Sequence, residues 1–478
     1  VKSEFITDIG LEVHVELNTK TKIFCGCESK FGGEPNTRVC EVCLGLPGAL
    51  PRLNQKVYEA AVRCAMALDG RVAERTRFDR KNYFYPDLPK GYQISQLYAP
   101  ICEGGYIDII DVSGATQRIR IHEMHMEEDA GKLIHDTPRK MTHVDYNRAG
   151  VPLLEIVTEP DFHDANDVAT FLQVLRDMMV YLGISDCKME EGSMRVDVNV
   201  SIRPVDSEAL GTRTEMKNLS SIRAVTAAIR YEADRQCEVI AAGKMIERET
   251  RRFDEVKMTT KKMRSKESGA DYRYFPEPDI PRIVLSDERR AALKKTIPEM
   301  RLAKIKRYVR DFILSEYDAT CLTVTPEMAT LFETATEVCH RPQETAHWMM
   351  GELSRVTKEI GMEPNVKAIS GVDFGIIIAL VSDGKITRNA ANTVLFEVLT
   401  HHVRPEEYIE SHGFDQSVNP DELEATIKQV LDAFPKAVEG YRAGQTKNLT
   451  FLMGQAMKML GMNANPKIIR EKIESMIT

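Results

Sequence analysis

Residues 9–17 read Ile-Gly-Leu-Glu-Val-His-Val-Glu-Leu, and this stretch decides the fold class. In an extended chain Ile9, Leu11, Val13, Val15 and Leu17 fall on one side, while Glu12, His14 and Glu16 fall on the other. Period-two alternation predicts a strand with one face in a core. The other face has two readings. It is a solvated polar surface, or it is a place where a rigid strand holds carboxylates and an imidazole at fixed spacing to bind divalent ions against phosphate oxygens.

The same design recurs downstream. Residues 118–132 (RIRIHEMHMEEDAGK) begin as an alternating strand and end in a dense group of His125, Glu127, Glu128 and Asp129 before a glycine. Such a group repels itself unless cations share it, the alternative being an exposed acidic turn. From Met194 to Arg203, Val196, Val198, Val200 and Ile202 face inward, and Arg195, Asp197, Asn199, Ser201 and Arg203 face outward. Thr212–Asn218 repeats the theme with Arg213, Glu215 and Lys217 on one side. An apolar back with carboxylates and cations on the front predicts an antiparallel sheet whose open face takes metal and polyanion together.

Four of the ten cysteines cluster as Cys25-x-Cys27 and Cys40-x2-Cys43. Two short pairs with Gly26, Gly32 and Gly33 to turn the loop predict a closed, structural zinc site; ordinary reduced thiols in a loop are the alternative. The other six cysteines read as small core residues. Lys56–Leu68 has helical periodicity and stops at Asp69-Gly70. In Phe78–Asp87, Arg80, Lys81 and Asn82 lie among Phe78, Tyr83, Phe84 and Tyr85, a mixture that suits a nucleotide or an RNA end and equally a packed loop. Mixed strands and helices run to about residue 290. Helices dominate afterwards, with basic residues such as Lys447, Lys458, Lys467, Arg470 and Lys472 in the last unit, either as an RNA-docking surface or as a solvated one.

A chain of 478 residues exceeds one core and is expected to divide into two to four domains. Its formal net charge of -8 argues against a basic coat over the whole surface and confines any RNA contact to a local patch. No apolar run is long enough to span a bilayer, and the first residues lack the apolar core of a secretion signal, so the expected location is cytoplasmic.

The stretches IGLEVHVEL (9–17), FDRKNYFYPDLPKGYQISQ (78–96), HMEEDAGK (125–132), PLLEIVTEPD (152–161), MEEGSMRVDVNVS (189–201), KNLSS (217–221), ETRRFDE (249–255) and DYRYFPEPDIP (271–281) resemble the B subunits of heterotrimeric aspartyl/glutamyl-tRNA amidotransferases. The resemblance resumes at FLMGQAMK (451–458) and ANP (464–466), and so many motifs in order make it specific. It implies an α+β fold: an antiparallel-sheet cradle domain similar to glutamine synthetase over 1–292, an all-α domain over 293–405 and a small α-helical, tRNA-binding tail over 406–478. The implied activity uses ATP and Mg²⁺ to phosphorylate the side-chain carboxylate of misacylated Glu-tRNA(Gln) or Asp-tRNA(Asn). Ammonia then displaces the phosphate to give the amide. An amidase (glutaminase) partner, the A subunit, makes that ammonia from glutamine, and a small C subunit joins the two in a heterotrimer.

Carried over by motif, Glu12, His14, Glu128 and Glu215 are the expected magnesium ligands, with Glu127 as the alternative to Glu128. Strand parity makes Arg195 and Lys217 phosphate clamps, and Arg80, Lys81 and Tyr83 are expected to line the meeting place of ATP and the tRNA acceptor end. Glu16 is given a supporting role. No glutaminase nucleophile is legible, so ammonia must come from a partner. Cys25, Cys27, Cys40 and Cys43 are variable in the family, and a Zn²⁺ there is expected to stiffen the loop. A noncatalytic, zinc-containing tRNA-binding scaffold is the competing reading, discriminated by metal-dependent ATP turnover. An archaeal relative acting only on Glu-tRNA(Gln) carries an inserted domain for which this chain has no obvious room.

Overall fold

The computed structural model describes residues 4–136, 138–263, 272–362, 369–414, 420–460 and 466–477. Two compact units are present, Val1–Met300 and Arg301–Thr478.

The first unit is built on a sheet of ten strands: β1 (Phe5–Glu16), β2 (Arg71–Val72), β3 (Cys102–Glu103), β4 (Tyr106–Ile110), β5 (Thr116–Glu128), β6 (Pro152–Thr158), β7 (Met194–Pro204), β8 (Thr214–Lys217), β9 (Glu249–Asp254) and β10 (Thr259–Lys262). Their order is β10-β9-β8-β7-β1-β6-β5-β3-β2, with β4 also paired to β5. β1 is central and lies antiparallel to both β6 and β7. The expected all-antiparallel sheet is corrected at one place: β8 and β9 run parallel, so the sheet is mixed. The reason is the crossover between them, which carries a long helix and returns the chain to the same edge in the same direction.

Ile9, Leu11, Val13 and Val15 are all 1% exposed or less, as are Val198 and Val200 on the neighbouring strand. Three amphipathic helices contribute buried side chains to the same apolar cluster: α1 (Gln55–Ala67), α2 (Ala165–Tyr181) and α3 (Ile222–Ala241). Each begins at a side-chain cap, from Asn54, Asp164 and Ser221 respectively. With one sheet face sealed in this way, the polar face carrying Glu12 and His14 is left on the other side.

The second unit is helical. One apolar cluster is built around Phe332, Phe374, Ile378 and Leu395 and runs to Ile409; a separate one contains Ile427, Leu452, Ile469 and Ile473. Among the described residues no helix is long and apolar enough to cross a membrane.

Candidate active site

Strand register sets the site. Directly across from His14 lie Glu155 on β6 and Arg195 on β7, and across from Glu155 lies His125 on β5. His125, Glu155, His14 and Arg195 therefore form one row over four strands. In the next row Glu12 faces Asp197, and Asn199 one step on faces Glu215. Residues in such rows project to the same face, so groups distant in sequence become neighbours.

Two groups of potential cation ligands result, and each has its ligand atoms within 4.8 Å of one another. In the first, His14 Nε2 lies 3.4 Å from Glu127 Oε1 and 3.4 Å from Glu155 Oε2. His125 backs it, with Nε2 2.9 Å from Glu155 Oε2, and Ser95 donates to Glu127 at 3.2 Å. The second comprises Glu12, Asp197 and Glu215. Asn199 donates to Glu12 at 3.0 Å and Thr250 to Glu215 at 2.8 Å. Hydrogen-bonded carboxylates of this kind have fixed orientations, which is what a cation site requires.

The electrostatics follow from burial and pairing. Burial disfavours imidazolium, yet hydrogen bonding to Glu127 and Glu155 outweighs it and pushes His14 up to about 10. His125 is likewise opposed by burial and pushed up to about 10, chiefly by the charge of Glu155 and hydrogen bonding to Glu127. Their partners move the other way: despite burial, Glu127 is held down to about 2 and Glu155 well below the usual carboxylate range. Glu12 is raised by burial and by the charge of Glu155. Two carboxylates bridged by an imidazole form a geometry that suits a cation.

The cations expected to hold phosphate sit on this face. Lys217 Nζ donates to Asp197 at 2.5 Å and lies 2.8 Å from Glu215; Arg195 donates to Asp129 at 2.5 Å and lies 3.8 Å from Glu16. Tyr83 packs edge-on against Tyr272, which meets Tyr274 in the same way, and Lys81 Nζ is 5.1 Å from the Tyr272 ring centre. Burial, then the charges of Asp87 and Glu127, raise Tyr83; burial followed by Glu127 raises Tyr274. Tyr83 and Tyr274 thus lie within electrostatic reach of Glu127. Past Glu16 the face opens into a cavity of about 510 Å³ that also meets Phe31, Lys132 and Arg148.

One expectation is corrected. Glu128 does not join the His14 group: as Glu127's neighbour it projects to the opposite face, beside Met124 and Met126, where it pairs with Lys90 and accepts from the Ile94 amide at 2.9 Å. Arg80, expected to line the ATP pocket, has its guanidinium held by acids. It forms a two-pronged pair with Glu277, at 2.6 and 3.1 Å, reaches Asp279 at 2.9 Å and lies 4.2 Å from the centre of the Tyr92 ring.

Glu155 and Asp197 are ligand candidates that sequence reasoning did not single out. The signal for both was parity. Glu155 sits between Leu154 and Ile156 in an alternating run, and Asp197 lies on the outward face of its strand.

The four cysteines converge although their pairs are separated in sequence. Cys43 Sγ lies 3.5 Å from Cys25, 3.8 Å from Cys40 and 3.9 Å from Cys27. A tetrahedral site with metal–sulfur bonds of about 2.3 Å needs sulfurs roughly 3.8 Å apart, so the four fit a metal ion such as zinc.

Comparison with known proteins supplies the remaining observations. A family model described as the GatB/GatE catalytic domain matches residues 7–291, and one described as the GatB domain matches residues 330–477. The B subunit of the aspartyl/glutamyl-tRNA(Asn/Gln) amidotransferase of Agathobacter rectalis is 47% identical over 471 residues, covering 98% of this chain and 99% of the relative. Proteins of the same name from Thermoanaerobacter sp. and Caldicellulosiruptor saccharolyticus are 47% identical over 463 residues, covering 97% of each chain, and 46% identical over 472 residues, covering 98% of each.

Proposed function

Since the chain belongs to the family of B subunits of aspartyl/glutamyl-tRNA(Asn/Gln) amidotransferases, we propose that it activates the side-chain carboxylate of a misacylated Glu-tRNA(Gln) or Asp-tRNA(Asn) with ATP and directs its amidation. The single observation that carries this reading is the pair of cation-ligand groups on one sheet face, with Lys217 and Arg195 beside them.

The chemistry needs positioning and positive charge more than acid-base catalysis. A carboxylate oxygen attacks the γ-phosphorus, ADP departs, and ammonia then attacks the carbonyl carbon as phosphate leaves with the carboxylate oxygen. Glu12, Asp197 and Glu215 would hold one Mg²⁺, and His14, Glu127 and Glu155 another. Ions bound there would neutralise the triphosphate and orient its oxygens. Lys217 is tied to Asp197 and Glu215; were those carboxylates to hold a cation, its ammonium would be free to face phosphate. Arg195 serves the same end beside the His14 row. His125 orients Glu155, and the Tyr83, Tyr272 and Tyr274 cluster with Lys81 offers faces on which a base can stack.

The rest of the molecule has its part in this role. The cradle is related to that of glutamine synthetase, the four cysteines hold a structural zinc, and the last helices from about 406 contact tRNA. An amidase as the A subunit and a small protein as the C subunit complete the complex, which works in the cytoplasm.

The test supplies ammonium chloride, ATP and Mg²⁺ to the complex with the amidase nucleophile disabled. Conversion of Glu-tRNA(Gln) to Gln-tRNA(Gln) that is lost on Glu127→Gln supports the reading. tRNA bound without conversion contradicts it and favours a scaffold.

A further inference from the structure

Lys22 is completely buried, at 0% exposure, and it is among the largest fully buried side chains of the molecule. Its ammonium has three protons to donate, and three acceptors surround it: the Arg38 carbonyl at 2.8 Å, the Tyr146 carbonyl at 3.3 Å and the Cys43 sulfur at 3.4 Å. Among the described residues no carboxylate pairs with it. Of these three acceptors the Cys43 sulfur is the one that belongs to the four-cysteine group, so Lys22 hydrogen-bonds directly to a candidate metal ligand. Four thiolates around a dication in turn leave negative charge uncompensated, which a hydrogen-bonded ammonium would offset.

The other contacts of Lys22 reach toward the active site. Arg38 precedes the second cysteine pair by two residues, and Lys22 itself lies in the turn that carries the first: its amide donates to the Cys27 carbonyl. Tyr146 belongs to the segment that leads into β6, the strand of Glu155. Along this segment Asn36 donates to the Val144 carbonyl, the Arg38 amide to Asn147, and the Ile23 amide to the Gly150 carbonyl. Gly150 and Val151 exchange backbone hydrogen bonds with Asp129, immediately beyond β5, the strand of Glu127. A Cβ added at Gly150 would meet the Lys22 stem at 3.4 Å, so the stem runs alongside this segment.

We propose that Lys22 is a positioning residue of the four-cysteine metal centre: its buried ammonium donates to the Cys43 thiolate, balances the charge of the loaded centre, and fastens that centre to the 144–151 segment between the strands of Glu127 and Glu155. The proposal rests on reading the cysteines as a metal site, and its test separates the two.

The full chain is loaded with Co²⁺, and Lys22→Met is compared with the parent. If the parent binds no Co²⁺ with a thiolate-to-metal charge-transfer band, the metal-site reading fails and the proposal with it. If it does, removing a hydrogen bond to sulfur should move that band to lower energy and speed metal release to a chelator by about 10- to 100-fold. A folded Lys22→Met with unchanged band and release rate overturns the proposal. Should Lys22→Met fail to fold, hydrogen exchange on the parent decides. Stripping the metal should deprotect the 144–151 amides together with those of 22–27, and unchanged protection at 144–151 overturns the tether.

Discussion

His14 stands between Glu127 and Glu155 and binds its proton tightly, being pushed up to about 10. A metal ion at this group must displace that proton, so the sign of the pH dependence is fixed: below about 10 imidazolium competes, and raising the pH favours the metal. Mn²⁺ affinity measured by titration calorimetry should therefore rise from about pH 6.5 to 8.5, by up to about tenfold per unit, with proton release visible as a buffer-dependent heat. Glu155→Gln should lower tRNA-dependent ATP turnover by about 10²-fold, because a ligand of the cation that would neutralise the reacting phosphate is lost, while cooperative unfolding persists. At this scale the sequence was legible wherever one strand sufficed. Glu12 and His14 declare themselves by alternation within a single strand. That Glu155 and not Glu16 neighbours His14 depends on which strand pairs with which, and pairing is not written in either strand alone.

At the scale of the element, β5 shows how parity decides between adjacent acids. Glu127 points to the cation-ligand face, whereas Glu128 turns inward to Lys90, and this pair is buried, with side chains 5% and 9% exposed. Glu128→Gln would keep an acceptor for the Ile94 amide but leave the Lys90 ammonium buried and unpaired. The expected cost is about 3 kcal/mol in denaturant unfolding, with Mn²⁺ binding at the His14 group retained. Glu127→Gln should show the converse. The motif HMEEDAGK drew attention to both acids, but only the strand's continuation from Met124 and Met126 separates them, and a run of acids hides that alternation. Helices were easier to read: the caps and periodicity of α1 and of Pro326–Cys339 are local properties. The parallel pairing of β8 and β9 was not legible, since strand direction at a sheet edge is set by the crossover and not by either strand's composition.

For the whole molecule, the apolar clusters matter more than its length. One serves the sheet and its helices, and two lie in the helical unit, one running to Ile409 and one from Leu423. A chain ended after residue 414 should keep the thermal transition and the metal content of the first unit, while tRNA binding in a filter assay weakens by about tenfold or more as the basic helices of the last segment are removed. The formal charge of -8 makes that binding sensitive to salt and dependent on local patches. The division into a mixed strand-and-helix part and a helical part could be read from periodicity along the chain. The convergence of the two cysteine pairs was legible in their spacing; their link through Lys22 to the segment before β6 was not, because it runs through backbone carbonyls that carry no signature in sequence. The central claim is that this sheet face transfers phosphate to the amino acid's own carboxylate. It is tested most directly by preparing Glu-tRNA(Gln) with ¹⁸O in the side-chain carboxylate and collecting the inorganic phosphate released during amidation. The account predicts one ¹⁸O in each phosphate per amide formed, and loss of that phosphate with Glu155→Gln. Phosphate free of ¹⁸O alongside normal amide formation would contradict it.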